Sequence, residues 1–366
     1  MQPNVITETL KTFIAFRTIA GNRAQKDACL DWISQSFLTE SDVAIETGEC
    51  ADCPFLLIVN PSAPWLWFAH TDVVPGRDDQ FTLQCSGDRL LGRGVKDMKG
   101  AALPFLLAYR DTCRSEGVPP VSILISTDEE TGGKTIPTLL QKGLKTPIAF
   151  TPDTGSSPGI VTEHKGAVWL VLTSTGISGH AAIPWESRNP ILPLTVALQN
   201  IAKAYPPGTE VDWKMTVSVT ELSGSDAVNR IPQAATATLD VRYPPEDFAG
   251  PLEVIARLQS LLPEGCSLTI REVGNPLWTD PAHPFIQEFL HVVQRVEGVT
   301  PPFIREHGAT DARHFCAAGI PAFLYGPKGG GIHGDDEWVL LASLQQQYAI
   351  YRMLLSHAKA TSSRRP

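Results

Sequence analysis

Four short stretches of this chain concentrate side chains of the kind that bind metal ions. They are His70-Thr71-Asp72, Asp128-Glu129-Glu130, Asp153 and His333; a fifth acid, Asp97, stands in the glycine-rich run GRGVKDMKG. Imidazole and carboxylate donors together suit zinc, or cobalt or manganese, better than a metal that prefers thiolates. Asp72 follows His70 by two residues, close enough for its carboxylate to take the second N–H of the imidazole and fix the ring. Glu129 and Glu130 are adjacent, and neighbours of that kind do not usually both ligate one ion, which frees one of them to act as a base. Each feature alone has a plain structural reading, as a satisfied histidine or a solvated acidic turn. Their joint placement points to a divalent-metal centre.

Each stretch follows residues that read as a buried strand: WLWFA (65–69) before His70, VSILIS (121–126) before the acidic triplet, PIAF before Asp153 and PAFLY (321–325) before His333. In open α/β sheets, ligands bind at the carboxyl ends of the strands, so these positions converge on one rim. Asp97 stands just before a helix whose first turn favours a nearby anion. FLLIV (55–59) is a further strand, and helices are expected around Ile6, Leu10, Phe13 and Ile14, then over 27–37, 98–111 and 135–142. From about Lys165 the texture changes to β-branched runs at 167–176, 214–224 and 234–243 and a last strand near 266–271, with helices at 190–203 and 246–261. That order is β-α-β-β-α-β, the ferredoxin-like split arrangement. After GNPLWTDPAHP (274–284), helices near 284–296 and 338–355 resume the α/β pattern. The expected fold is therefore α/β: a catalytic domain with a mixed, largely parallel sheet and helices on both faces, formed by 1–163 and 281–366, interrupted by an α+β lid domain over 164–280.

A length of 366 residues, 43% of them hydrophobic, allows about two domains and excludes a disordered chain. The net charge of −9 has the wrong sign for a general nucleic-acid or anionic-membrane surface. An anionic substrate would need a local cationic pocket, for which Lys165, Arg230, Arg242, Arg313 and Lys328 are candidates. MQPNVITETLKTFIAF lacks the pattern of a secretory signal, and no apolar run approaches the ~20 residues that span a bilayer, so a cytoplasmic location is expected. Seven scattered cysteines are unlike a disulfide framework; Cys50 and Cys53 form a CxxC with no second such pair, and read as a structural thiol pair. The closing TSSRRP reads as a solvated tail.

Several longer motifs resemble those of a known family. HTDVVP (70–75), GRGVKDMKG (92–100), STDEETGG (126–133), PDTGSSPG (152–159), GISGHAAIP (176–184), NRIP (229–232), HGATDARHF (307–315) and GGGIHGDDEW (329–338) occur in the order found in the di-zinc metallopeptidase family of succinyl-diaminopimelate desuccinylase, acetylornithine deacetylase and carboxypeptidase G. The resemblance runs from about residue 5 to residue 355. It implies two zinc ions per subunit, for which cobalt or manganese can substitute, one held by His70 and Asp153, the other by Glu130 and His333, with Asp97 between them. It further implies that Asp72 orients His70, that Glu129 is the general base for a two-metal activated water, and that the Asp97–Met98 peptide is cis. The inserted domain would be a lid and the surface of a homodimer, with His180 reaching the partner subunit's site to stabilise the oxyanion. Arg242 and the GATDAR loop, with Gly308, Thr310 and Arg313, would meet a substrate carboxylate. Asn229 and Lys165 complete the expected substrate pocket. His164, His307 and His314 flank these motifs without matching ligand positions and are read as structural.

The chain departs from the desuccinylase pattern at Asp153, where that branch has Glu, at Ile183, where it has an aromatic residue, and at Ala309, where it has Thr. An aspartate in the third metal position occurs among dipeptidases and tripeptidases of the family. The expected reaction is zinc-dependent hydrolysis of the amide of an N-acyl amino acid, with a dipeptidase or carboxypeptidase as the alternative. A metal-free binding protein of the same fold would have lost a ligand or the base, and none of the six is missing here.

Overall fold

A computed structural model of the chain describes residues 2–39, 43–155, 158–208, 212–225 and 227–362. Ser156 and Ser157 of the PDTGSSPG motif, and the last residues of the TSSRRP tail, lie outside the described residues. The chain divides into two compact units. The first comprises 1–162, 278–306 and 310–366; the second comprises 163–277 with 307–309.

The first unit is built on a nine-stranded sheet whose centre is parallel: Ser122–Ser126 and Ala149–Thr151 flank Leu66–His70, and Ala322–Leu324 follows beyond Ala149–Thr151. Every residue of Leu66–His70 and of Ser122–Ser126 is buried, as expected of strands covered on both faces. Glu46–Cys50 and Cys53–Ile58 add an antiparallel edge. The covering helices Pro3–Ala15, Lys99–Glu116, Pro284–Glu297 and Leu341–Ser362 all feed one core. Within it Trp67 stacks on Phe105 at 4.0 Å, and Phe150 meets Phe289, Phe323 and Tyr351. Each such side chain contributes about 1.5–3 kcal/mol by burial.

A second, small sheet was not expected from the sequence. Gly329–Gly330, Trp338–Leu340, Arg89–Leu91 and Gln84–Ser86 pair antiparallel in that order. Strands of two or three residues carry no periodicity, so nothing in the sequence announces them. Trp338–Leu340 also delays the final helix, expected from 338, to Leu341.

In the second unit the strands Thr216–Ser223, Ala234–Tyr243, Gly166–Thr175 and Cys266–Gly274 form one antiparallel sheet in that order. Numbered along the chain this is 2-3-1-4, the ferredoxin-like arrangement. Alternate residues of Ala234–Tyr243 are buried, among them Ala235, Ala237, Leu239, Val241 and Tyr243, which pack with Leu194, Ala197 and Ile201 of the Ile191–Ala204 helix and Val254 and Leu258 of the Pro251–Gln259 helix. The helix expected over 246–261 is shortened to Pro251–Gln259, because Pro251 takes the first helical position, where a missing N–H costs nothing. No helix among the described residues is long and apolar enough to cross a membrane.

Candidate metal centre

Three of the parallel strands of the first unit end side by side. His70 closes one and lies opposite Ser126, which closes the next, and Thr151 of the third is followed two residues later by Asp153. The loop 92–97 brings Asp97 to the same rim. Asp97 Oδ1 is 3.1 Å from His70 Nε2, and Asp97 Oδ2 is 3.1 Å from His333 Nε2. His333 Nε2 is also 3.1 Å from Glu130 Oε2. Ligand atoms of His70, Asp97 and Asp153 lie within 4.8 Å of one another, as do those of Asp97, Glu130 and His333. Asp97 is common to both groups. The Asp97–Met98 peptide is cis.

Asp72 organises the first group. His70 Nδ1 faces the Asp72 carbonyl at 3.1 Å and its Oδ1 at 3.4 Å, while Asp72 Oδ2 accepts the Glu130 N–H at 3.0 Å. One carboxylate thus turns His70 Nε2 toward Asp97 and ties that histidine to the Glu130 turn. His333 adopts φ +63°, a region a non-glycine residue occupies at a cost of about 1–3 kcal/mol. Such a backbone persists where the surroundings enforce it.

The electrostatics describe a site that favours positive charge. Burial opposes the imidazolium of His70, but Asp72 and Asp97 raise its pKa well above the usual value. Hydrogen bonds to Asp97 and Glu130 push His333 up to about 10. Burial disfavours the Asp97 carboxylate, yet the two histidines hold it well below the usual range. Burial and the Asp97 charge raise Asp153 to about 8, and burial raises Glu129 well above the ordinary carboxyl value. Glu130 Oε1 is buried with no hydrogen-bond partner among the described residues. Two imidazole nitrogens and three carboxylates, one with an orphaned oxygen, are a donor set that fits divalent cations preferring nitrogen and oxygen.

Residues outside the expected set hold these groups in place. Glu337 is buried and accepts the backbone N–H groups of Gly94, Lys96 and Asp97 at 2.8–3.0 Å. It also pairs with Arg93 at 2.9 Å, and Arg93 reaches the Gly334 carbonyl in the His333 loop at 3.1 Å. Lys96, also buried, donates to the Thr154 carbonyl and hydroxyl beside Asp153. Asp128 Oδ2 accepts the N–H groups of Lys134 and Thr135, anchoring the turn that carries Glu129 and Glu130. Gly133 closes that turn at φ +58°, and a Cβ there would lie 2.0 Å from Asp311 Oδ1, so only glycine fits. Arg93, Lys96 and Glu337 lie inside quoted motifs; their one signal is charge in segments that otherwise lead into an apolar helix or strand.

The other expected residues are distributed between the units. Thr310 and Arg313 belong to the first; Arg313 Nε is buried without a hydrogen-bond partner among the described residues, and Thr310 Oγ1 accepts the Ala312 N–H. His180, Asn229, Gly308, Arg242 and Lys165 belong to the second. There Gly179–His180 pairs with Arg230–Ile231, and Ser178, Gly179, His180, Asn229 and Arg230 line a cavity of about 300 Å³. His180 is exposed, and its Nδ1 accepts the Ala182 N–H at 3.1 Å. Gly308 is exposed, with open space around its Cα. Two expected cations already have partners within that unit. Arg242 bonds both oxygens of Asp240 and lies over Trp169, and the buried Lys165 donates to the Asp212 and Lys214 carbonyls. His164 is buried against the Lys165 carbonyl, His307 packs edge-on to Trp213, and His314 Nε2 is 3.4 Å from Asp311 Oδ1.

Residues 66–357 match the model of peptidase family M20/M25/M40. The chain belongs to this family. It is accordingly a metal-dependent hydrolase of amide bonds. Among its M20 relatives, a succinyl-diaminopimelate desuccinylase of Granulibacter bethesdensis is 31% identical over 365 residues, covering 89% of this chain and 93% of the relative. Among solved structures, a tripeptidase from Staphylococcus aureus aligns with TM-score 0.80 at 15% identity, covering 100% of both chains. An M20 family metallo-carboxypeptidase from Sulfolobus solfataricus gives TM-score 0.80 at 18% identity, over 98% of this chain and 100% of that one. At such identities the two structures speak for the shared M20 fold alone.

Proposed function

We propose that this protein is a two-metal deacylase of the desuccinylase type, which hydrolyses the amide of an N-acyl amino acid carrying a free carboxylate. The observation that carries the reading is the Asp97 carboxylate, whose two oxygens are shared between the His70 and His333 groups. In this reading His70, Asp97 and Asp153 hold one cation and Asp97, Glu130 and His333 the other. Two such ions, zinc by the donor set, lower the pKa of water and polarise the scissile carbonyl.

The chain's own residues then have separable tasks. Asp72 keeps the Nδ1–H of His70 occupied, so that Nε2 faces the centre. Glu129, made more basic by burial, takes the proton of the attacking water and returns it to the departing amine. His180, with Asn229 beside it, donates to the oxyanion, supplied from the lid of a partner subunit in a homodimer. Arg313, with its unpartnered Nε, and the 308–310 loop receive the substrate carboxylate, for which a guanidinium is suited as a bidentate donor. Arg242 and Lys165, each engaged within the second unit, serve that unit's own structure.

A second reading, a dipeptidase or carboxypeptidase, is favoured by Asp153, a shorter carboxylate than the glutamate of the desuccinylase pattern. N-succinyl and N-acetyl amino acids and dipeptides, assayed with zinc and with cobalt, separate the two. Preference for the acyl substrates supports the deacylase; turnover of dipeptides alone replaces it with the second reading.

A further inference from the structure

The CxxC pair of the first unit has no part in the reaction described above. Glu46–Cys50 and Cys53–Ile58 form a hairpin closed by Ala51 and Asp52, at φ +48° and +62°. Two positive φ values define the I′ turn, which leaves the flanking residues directly opposed. Cys50 and Cys53 are those residues, and both are free thiols. Directly opposed residues of an antiparallel pair point to the same face, with Cβ atoms about 4.5–5.5 Å apart. A disulfide asks for about 3.5–4.5 Å, so the pair is within a small backbone adjustment of closing.

Accessibility marks Cys53 as the member open to a reagent. Cys50 is buried and Cys53 partly exposed. Burial raises the Cys53 thiol above its ordinary pKa, and the buried Lys26 ammonium, 3.7 Å from Sγ, acts against that rise. The same ammonium donates to the Thr127 carbonyl at 2.6 Å, and the Thr127 hydroxyl donates to the carbonyl of Pro54, the residue after Cys53, at 2.8 Å. Thr127 leads directly into the Asp128-Glu129-Glu130 turn. Two short hydrogen bonds therefore tie Lys26 and Pro54, the neighbours of Cys53, to Thr127, two residues before the proposed base.

We propose that Cys50 and Cys53 are a thiol–disulfide exchange site for a small-molecule disulfide, and that closing the pair loosens the 127–135 segment through Lys26 and Pro54. The Cys53 thiolate attacks one sulfur of the reagent and expels the first thiolate. Cys50, after losing its proton to solvent, attacks the Cys53 sulfur and expels the second. Two protein thiols are oxidised to one disulfide and the reagent is reduced to two thiols. Drawing Cys53 toward Cys50 takes its sulfur from Lys26 and shifts Pro54. A disulfide across a two-residue turn constrains the unfolded chain little, and a strained, accessible one is readily reduced, so the closure is reversible.

The metal-loaded protein is incubated with glutathione disulfide and followed by intact mass, peptide mapping and amide hydrogen exchange. The expected product has lost two hydrogens, carries a Cys50–Cys53 cross-link and reverts with dithiothreitol. Cys50→Ser retains one glutathione on residue 53, and Cys53→Ser takes none on residue 50. Exchange at Lys134 and Thr135 accelerates about two- to tenfold in the closed form, the effect of weakening one hydrogen bond, and does not change in the double serine variant. Reaction confined to the exposed Cys85 overturns the site. Closure of the pair with unchanged exchange over 127–135 overturns the coupling. Neither readout depends on which amide the protein hydrolyses.

Discussion

In the proposed reading, the two oxygens of Asp97 and the turn holding Glu129 and Glu130 divide the work of the site between ligation and proton transfer. Glu129→Gln keeps the volume and removes the base. Base catalysis of this kind is worth about 10²–10⁴-fold, so kcat should fall by that factor with bound metal unchanged, checked by steady-state kinetics beside metal analysis. The protonation of the cluster sets a pH dependence in the metal-free protein. His333, raised to about 10, and Asp153, raised to about 8, both bind protons more tightly folded than unfolded. Their contributions are fully present below the unfolded pKa values and are lost as pH rises through the folded ones. Melting temperature in chelator should therefore fall from about pH 6.5 to 8, where both act, and this slope should flatten once metal replaces the protons; a rising slope in chelator would contradict the assignment. At this scale the gathering of His70, Asp97, Glu130, Asp153 and His333 was legible in the sequence, because metal-type donors are few in kind and strand ends restrict place. Glu337, Arg93 and Lys96 were not, because they act by satisfying backbone groups that only the folded loop brings to them. Arg242 shows the converse: a cation in a suitable motif whose charge Asp240 absorbs.

The loop 92–97 owes its shape to a single carboxylate. Glu337 meets three backbone N–H groups and a buried guanidinium, and it stands beside Trp338–Leu340, which pairs with Arg89–Leu91 at the root of the same loop. Glu337→Gln keeps an acceptor for part of this set but leaves the buried Arg93 uncompensated. Breaking a buried pair from one side costs about 3–5 kcal/mol. The variant should melt lower, by about 2–4 °C per kcal/mol for a unit of this size, and should hold metal less tightly by calorimetric titration. Wild-type metal affinity in a folded variant would show that the loop is positioned by other means. The buried strands and the ferredoxin-like order were readable because apolar runs and alternation survive in sequence. The small sheet that joins the Asp97 and His333 loops was invisible, being made of strands too short to have a period.

Across the whole molecule, a metal that binds the folded chain alone would couple its binding to folding. Chelation should abolish hydrolysis, zinc or cobalt should restore it, and metal at a hundredfold excess over Kd should stabilise the protein by about 2.7 kcal/mol, seen as a higher Tm. Assembly can be tested with two inactive variants. If His180 acts on a partner's site, a refolded mixture of His180→Ala and Glu129→Gln regains activity, because one site of each mixed dimer has both groups; no recovery places His180 elsewhere. The chain leaves the first unit at Thr162 and re-enters it at Trp278, and the Thr279 N–H bonds to the Thr162 carbonyl at 2.9 Å. The inserted residues therefore start and finish at nearly one point. A ribosome makes all four strands of the second unit's sheet by Gly274, but the core of the first unit waits for Leu344, Tyr351 and Leu354 near the end of the chain. The ferredoxin-like sheet thus has all its strands before its host has its full core. The proposed metal ligands are separated by the same interval: Asp153 is synthesised long before His333, and the Asp97 carboxylate acquires its second histidine neighbour only when translation is almost over.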